Sequence, residues 1–139
     1  MAWTLLLAAG QGNRLASATG GLAKQFLDWK GAPLYWESAL VFSRCARVGG
    51  LVFVFPEACI DEERERVAGL MRNASLGIPW KVVAGGALRQ DSVRNGLSAL
   101  PDACMEVLIH DAARPFVSPV LVNRILDGLH GEASGECVA

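Results

Sequence analysis

Short apolar runs separated by stretches of helical period constrain this chain more than any other feature. Trp3 to Ala8 is an almost unbroken apolar run leading to Gly10, and Leu51-Val52-Phe53-Val54-Phe55 is a second, stopped by Pro56. Trp80-Lys81-Val82-Val83 and Val107-Leu108-Ile109-His110 supply a third and a fourth. Runs without polar alternation predict strands covered on both faces. Between them, Tyr35, Ala39, Phe42 and Ala46 share one helical face. Asp61-Glu62-Glu63 opens a second helix, with acids where the dipole favours them and Val67, Leu70 and Met71 turned inward. Ser92 begins a third helix with Val93, Leu97 and Leu100. Ser118-Pro119 gives a cap and a proline at the first helical position of a fourth, which runs through Val122, Ile125, Leu126 and Leu129.

The order β-α-β-α-β-α-β-α predicts an α/β fold: a mostly parallel sheet, right-handed crossovers and helices on both faces. A fifth strand is expected near Cys137. In open sheets of this kind ligands bind beyond the carboxyl ends of the strands. Function is therefore sought in the loops after Ala8, Val83 and His110.

Composition narrows the function classes. With 139 residues, 52% of them hydrophobic, and a net charge of −1, the chain suits one domain and is too apolar for intrinsic disorder. It lacks the basic excess of a general nucleic-acid or membrane-surface binder. Its apolar runs fall far short of the roughly 20 residues of a membrane helix. Met1-Ala2-Trp3-Thr4 has no basic segment of the kind that opens a signal peptide. Cys45, Cys59, Cys104 and Cys137 form no CxxC pair, so buried free thiols in a reduced, cytoplasmic setting are expected. The last residues, Glu136-Cys137-Val138-Ala139, read as a strand just starting. The domain over residues 1–139 is therefore expected to be incomplete at its C-terminal end.

The first loop, Ala8-Ala9-Gly10-Gln11-Gly12-Asn13-Arg14, has small residues that allow close backbone approach and amides able to cradle phosphate oxygens. It is neither a dinucleotide fingerprint, since Leu15 stands where the third glycine belongs, nor a P-loop. A plain strand-to-helix turn accounts for its glycines equally well. The second, Gly85 to Arg94, pairs two glycines with the hydroxyl of Ser92; Asp91 or Ser92 as a simple N-cap is the alternative. In the third, His110-Asp111-Ala112-Ala113-Arg114-Pro115, Asp111 is placed to hold Mg²⁺ and Arg114 to grip a phosphate. A surface Asp111–Arg114 pair is the alternative there, and His110 reads as a strand histidine before a catalytic base. Arg14, Lys24, Arg89, Arg94 and Arg114 place five of the 13 basic residues in these segments, against Asp91 and Asp111 as the only acids. That local field suits a nucleoside triphosphate with Mg²⁺.

Leu7-Ala8-Ala9-Gly10-x-Gly12-x-Arg14 with Lys24-Gln25 resembles the signature of nucleotidyltransferases with a Rossmann-like, glycosyltransferase-A-like fold. Gly85-Gly86-x-x-Arg89-x-Asp91-Ser92-Val93 and His110-Asp111-Ala112-Ala113-Arg114-Pro115 narrow the resemblance to the 2-C-methyl-D-erythritol 4-phosphate cytidylyltransferase family of non-mevalonate isoprenoid biosynthesis. The resemblance implies transfer of a cytidylyl group from CTP to the phosphorylated polyol. Ala8, Ala9, Gly10 and Gly12 would bind the nucleotide. Arg14 and Lys24 would act on the α-phosphate as catalytic residues, and Gly86 and Ser92 would meet the cytosine. Asp111 would ligate Mg²⁺, and Asp111 and Arg114 would face the acceptor. Ala23 departs from the proline that many members carry before the Lys-Gln pair.

The resemblance further implies a homodimer, with a dimer arm, a threonine segment and a lysine beyond Ala139. Some members are fused to a cyclodiphosphate synthase. Two other readings stay open: a different polyol- or sugar-phosphate nucleotidyltransferase, and a nucleotide-binding module without turnover. A dehydrogenase is disfavoured by Leu15 and by the lack of an acidic ribose partner.

Overall fold

The computed structural model describes residues 1–10, 24–114 and 117–131. Four parallel strands form its central sheet: β1 (Ala2–Leu7), β4 (Val48–Phe55), β5 (Trp80–Ala84) and β6 (Val107–Asp111), in the order β5-β4-β1-β6. A two-stranded antiparallel hairpin, β2 (Asp28–Trp29) and β3 (Ala32–Pro33), sits apart from it. The helices are α1 (Leu34–Ser43), α2 (Ile60–Asn73), α3 (Arg89–Ser98) and α4 (Pro119–Gly131). The expected α/β architecture with a parallel sheet is present. The fifth strand near Cys137 lies outside the described residues.

Strand side chains alternate between two cores, which explains the unbroken apolar runs. Leu6, Phe53, Phe55 and Leu108 meet Tyr35 of α1, Val67 of α2, and Val122 and Leu126 of α4. Leu5, Leu7, Val52 and Val54 face the other way, against Val93 and Leu100. There α3 comes so close that a Cβ on Gly96 would stand 3.0 Å from Leu5. Helices thus cover both faces, α1, α2 and α4 on one and α3 on the other.

Strand order shows where a sheet of this kind would take a ligand. The chain moves outward from β1 to β4 to β5 and then returns across the sheet to β6, on the other side of β1. The direction reverses between β1 and β6, and such a switch point opens a crevice at the strands' carboxyl ends. Leu7 pairs with Asp111 in register there, and Ala112 N–H donates to Leu7 O at 2.9 Å.

Several details depart from the sequence reading. Ala46 lies beyond α1, which ends at Ser43, and is exposed. The third helix starts at Arg89 rather than Ser92. Of the described cysteines only Cys45 is buried; Cys59 and Cys104 are partly exposed, and all three are free thiols. Ser118 caps α4 as predicted, its Oγ accepting the Leu121 N–H at 3.1 Å.

Glu63 stands with Asp61 and Glu62 in the first turn of α2 as predicted, and it is also buried, accepting a 2.8 Å hydrogen bond from the Tyr35 hydroxyl. Arg66 lies 3.7 Å from the same carboxylate. Burial, followed by the Glu63 charge, raises the Tyr35 phenol far above its ordinary range. Tyr35→Phe leaves a buried carboxylate without that donor and is expected to cost about 2 kcal/mol of stability by chemical denaturation. Because the folded-state value is raised, the tyrosine's contribution is full below about pH 10 and is lost as pH rises above it. Tyr35→Phe should therefore flatten the alkaline fall in stability that the parent chain shows.

Candidate active site

The site is built from the three strand-end loops. Ala8 leaves β1 with its N–H bonded to Val54 O at 2.8 Å. Among the described residues, nothing accepts from the N–H groups of Ala9 and Gly10. The 3₁₀ turn Lys24–Phe26 packs beside them: Gln25 is buried, while Lys24 next to it is exposed. The Gln25 Nε2 amide donates to Ala8 O at 2.9 Å and to Gly10 O at 2.6 Å. Gly12 and Arg14 lie outside the described residues.

The second loop meets the first directly. Gly85 N–H donates to Phe55 O at 2.7 Å, and a Cβ on Gly85 would stand 2.4 Å from the Ala9 Cβ and 2.6 Å from Ser92 Oγ. Only glycine permits that approach. Ser92 is buried within α3, and its Oγ accepts the Gly86 N–H at 3.1 Å, which fixes the loop's path. Ser92 is thus not an N-cap. Asp91 does the local capping work, its Oδ2 accepting the Leu88 N–H at 3.2 Å.

Because α3 already begins at Arg89, Arg89 and Arg94 are helical rather than loop residues. Arg94, 3.9 Å from Asp91, is largely solvated. Of the five expected cations, Lys24, Arg89, Arg94 and Arg114 are exposed, and Arg14 lies outside the described residues.

The third loop is a tight turn. Arg114 N–H donates to Asp111 O at 3.0 Å, and Asp111 Oδ1 accepts the Ala113 N–H, also at 3.0 Å. No side-chain ion pair joins Asp111 to Arg114, and both are exposed. Asp111 keeps its second carboxylate oxygen without a described partner. Behind the turn, His110 Nε2 lies 2.8 Å from Arg114 O and 3.2 Å from Ser38 Oγ, with its ring edge-on to Phe42. Burial lowers the His110 imidazole below its ordinary value, against the bond to the Arg114 carbonyl and the Asp111 charge, which raise it. A carbonyl only accepts, so Nε2 carries the proton. His110 thus ties the turn to α1, in keeping with its reading as a strand histidine.

The structure therefore gathers Ala8, Ala9, Gly10, Lys24, Gly86, Ser92 and Asp111 around the ends of β1, β5 and β6, and Arg114 closes the β6 turn. An open cleft of about 520 Å³ lies elsewhere, lined by Phe26, Asp28, Cys59, Glu62, Glu63 and Arg66, and includes none of these residues.

A fit for Mg²⁺ can be judged from the donors present. No group of three or more His, Cys, Asp or Glu side chains among the described residues is arranged to hold a metal. One exposed carboxylate, with an oxygen that has no partner among the described residues, suits an ion that takes one or two protein carboxylates and completes its shell with phosphates and water. Asp111 meets that requirement.

Gln25 is the residue whose part the sequence did not disclose. It appears in the Lys24-Gln25 pair, but nothing local predicts bonds to carbonyls 15 and 17 residues away.

The sequence profile of the 2-C-methyl-D-erythritol 4-phosphate cytidylyltransferase family matches residues 2–139. A protein of Oleidesulfovibrio alaskensis named bifunctional enzyme IspD/IspF is 55% identical over 133 residues, covering 96% of this chain and 33% of its own length. The 2-C-methyl-D-erythritol 4-phosphate cytidylyltransferase of Clostridium botulinum is 36% identical over 119 residues, covering 86% of this chain and 49% of its own. The chain thus spans a third to a half of the length of these relatives. Among solved structures, the 4-diphosphocytidyl-2C-methyl-D-erythritol synthase of Anaerococcus prevotii superposes with a TM-score of 0.72 at 22% identity, over 93% of this chain and 50% of that one. The inositol-1-phosphate CTP transferase of T. maritima gives 0.63 at 21% identity, over 81% of this chain and 43% of that one. At these identities the structural likeness concerns the fold.

Proposed function

The chain belongs to the 2-C-methyl-D-erythritol 4-phosphate cytidylyltransferase family, and from that premise we propose that it forms the nucleotide-binding part of an enzyme transferring a cytidylyl group from CTP to 2-C-methyl-D-erythritol 4-phosphate. The observation that carries the reading is the meeting of three loops at the β1/β6 switch point, where the Ala9 and Gly10 backbone, Lys24 and the exposed Asp111 carboxylate come together. In this reading the backbone from Ala8 through Gly10 to Gly12 holds the triphosphate. Gly86 and Ser92 meet the cytosine, a pairing that favours a pyrimidine over a larger purine. Arg114 faces the acceptor phosphate.

The chemistry asks little of the protein beyond position and charge. An oxygen of the acceptor phosphate attacks the α-phosphorus of CTP in line. One phosphorus–oxygen bond forms as the bond to pyrophosphate breaks. The attacking monoester is already anionic near neutral pH, so no general base is needed and no covalent enzyme intermediate forms. Lys24 and Arg14 neutralise the charge that builds on the α-phosphate, and fixed charges aimed at such a site are among the largest catalytic terms. Mg²⁺, when bound at Asp111, supplies charge neutralisation and orientation to the triphosphate.

Homodimer assembly and a cytoplasmic setting belong to the same proposal. No described helix is long and apolar enough to cross a membrane.

Pyrophosphate release tests the reading. Release that requires both CTP and methylerythritol phosphate, and that falls away with other nucleotides and with inositol or ribitol phosphates, is the expected result. CTP binding without release under any acceptor would reduce the chain to a nucleotide-binding module.

A further inference from the structure

Gln25 has no place in the chemistry described, yet among the described residues its side chain makes two hydrogen bonds to the nucleotide loop. It is 3% exposed, and burying an amide is costly unless its donors are met. Both N–H bonds of its Nε2 are used on one short stretch of backbone, at Ala8 O and Gly10 O.

The geometry of a trans peptide gives this a direct consequence. C=O and N–H of one peptide plane point in opposite directions. With the Ala8 carbonyl turned to Gln25, the Ala9 N–H must face away from it. The same amide has no described acceptor of its own.

The turn on which Gln25 stands is packed against the core. Phe26 packs against Tyr35 and Phe55 with ring centroids 6.1 Å apart in each case, and Leu34 N–H donates to Leu27 O at 2.8 Å. Asp28 is tied to Arg66 at 3.1 Å. Lys24 shares the turn with Gln25, so whatever fixes Gln25 to the loop also fixes the backbone that carries the lysine.

We propose that Gln25 is the positioning residue of the nucleotide loop, holding the Ala8 and Gly10 carbonyls away from the ligand and setting the reach of Lys24 to the α-phosphate. The inference rests on the proposed function and adds to it a residue that touches neither nucleotide nor acceptor.

The test is a double-mutant cycle with Lys24. Gln25→Met keeps the side-chain length and removes the donors. In the wild-type background it should weaken CTP·Mg²⁺ binding by calorimetry and lower kcat/KM by about 10-fold or more, the scale on which misplaced catalytic groups act. In the Lys24→Ala background the same change should lower kcat/KM by about threefold or less, because residues that act as a unit are not additive. Should Gln25→Met melt below the assay temperature, Gln25→Asn, which keeps the amide but cannot span both carbonyls, carries the same comparison.

An equal loss in both backgrounds, or no loss, overturns the positioning role. If the wild-type chain binds CTP and turns over while the variants match it, only that role falls. If the wild-type chain neither binds CTP nor turns over, the proposed function falls and the positioning role with it.

Discussion

Replacing Asp111 with asparagine is expected to lower CTP-dependent pyrophosphate release on the order of 10²- to 10³-fold, the usual effect of losing one charge-stabilising element of an active site. The choice of asparagine is deliberate. Asp111 Oδ1 accepts the Ala113 N–H at 3.0 Å, and an asparagine carbonyl oxygen makes the same bond. The turn from Asp111 to Arg114, closed by its own backbone bond, is therefore preserved. The charge alone is lost, and with it the carboxylate proposed to hold Mg²⁺. An exposed substitution of this kind should shift the melting temperature by no more than about 2 °C. The metal dependence should change with the rate: the variant should need far more Mg²⁺ for half-maximal turnover. Wild-type turnover in Asp111→Asn at ordinary Mg²⁺ would remove Asp111 from the site.

The second large effect is expected at Gly85. An added Cβ would overlap the Ala9 Cβ at 2.4 Å and Ser92 Oγ at 2.6 Å. Neither neighbour can simply swing aside. Ala9 has no rotamer to change, and Ser92 is buried and holds Gly86 N–H. Gly85→Ala must therefore part the first and second loops, at about 1–3 kcal/mol, the common range for overpacking. CTP affinity should fall alongside stability, because triphosphate and cytosine are proposed to meet those two loops. Thermal melts and CTP titration on the same sample measure both. Unchanged affinity in a destabilised variant would mean that the contact between the loops serves the fold alone.

The strands were legible because burial on both faces leaves an unbroken apolar run, as β1 shows along its whole length. β4 was read too short. It starts at Val48 and passes through Gly49 and Gly50, and glycine pairs ordinarily signal a turn. Gly50 is there because the Trp3 ring lies on it, at 2.4 Å from where a Cβ would be, a contact no local pattern reveals.

The hairpin at 28–33 was also hidden. Lys30 and Gly31 both take positive φ, 53° and 85°, the conformation of a type I′ turn, but a lysine stands where asparagine or aspartate would have announced it. The start of α3 was placed late because its capping acid, Asp91, lies inside the helix and reaches back to Leu88.

At the site, the residues that motifs carry were legible: small residues where backbone must approach, and a carboxylate at a strand end. What spacing does not carry is which loops touch. The approach of Gly85 to Ala9 and the bonds of Gln25 to Ala8 and Gly10 depend on strand order and long-range packing, which fix geometry only after the chain has folded.

Amide hydrogen exchange on the chain with and without CTP and Mg²⁺ tests the central claim, that three strand-end loops form one nucleotide site. Slowed exchange at 8–10, 85–92 and 111–114 together, saturating at one CTP concentration, is the expected result. Protection limited to one of these loops, or centred on the cleft between Asp28, Glu62 and Arg66, would contradict it.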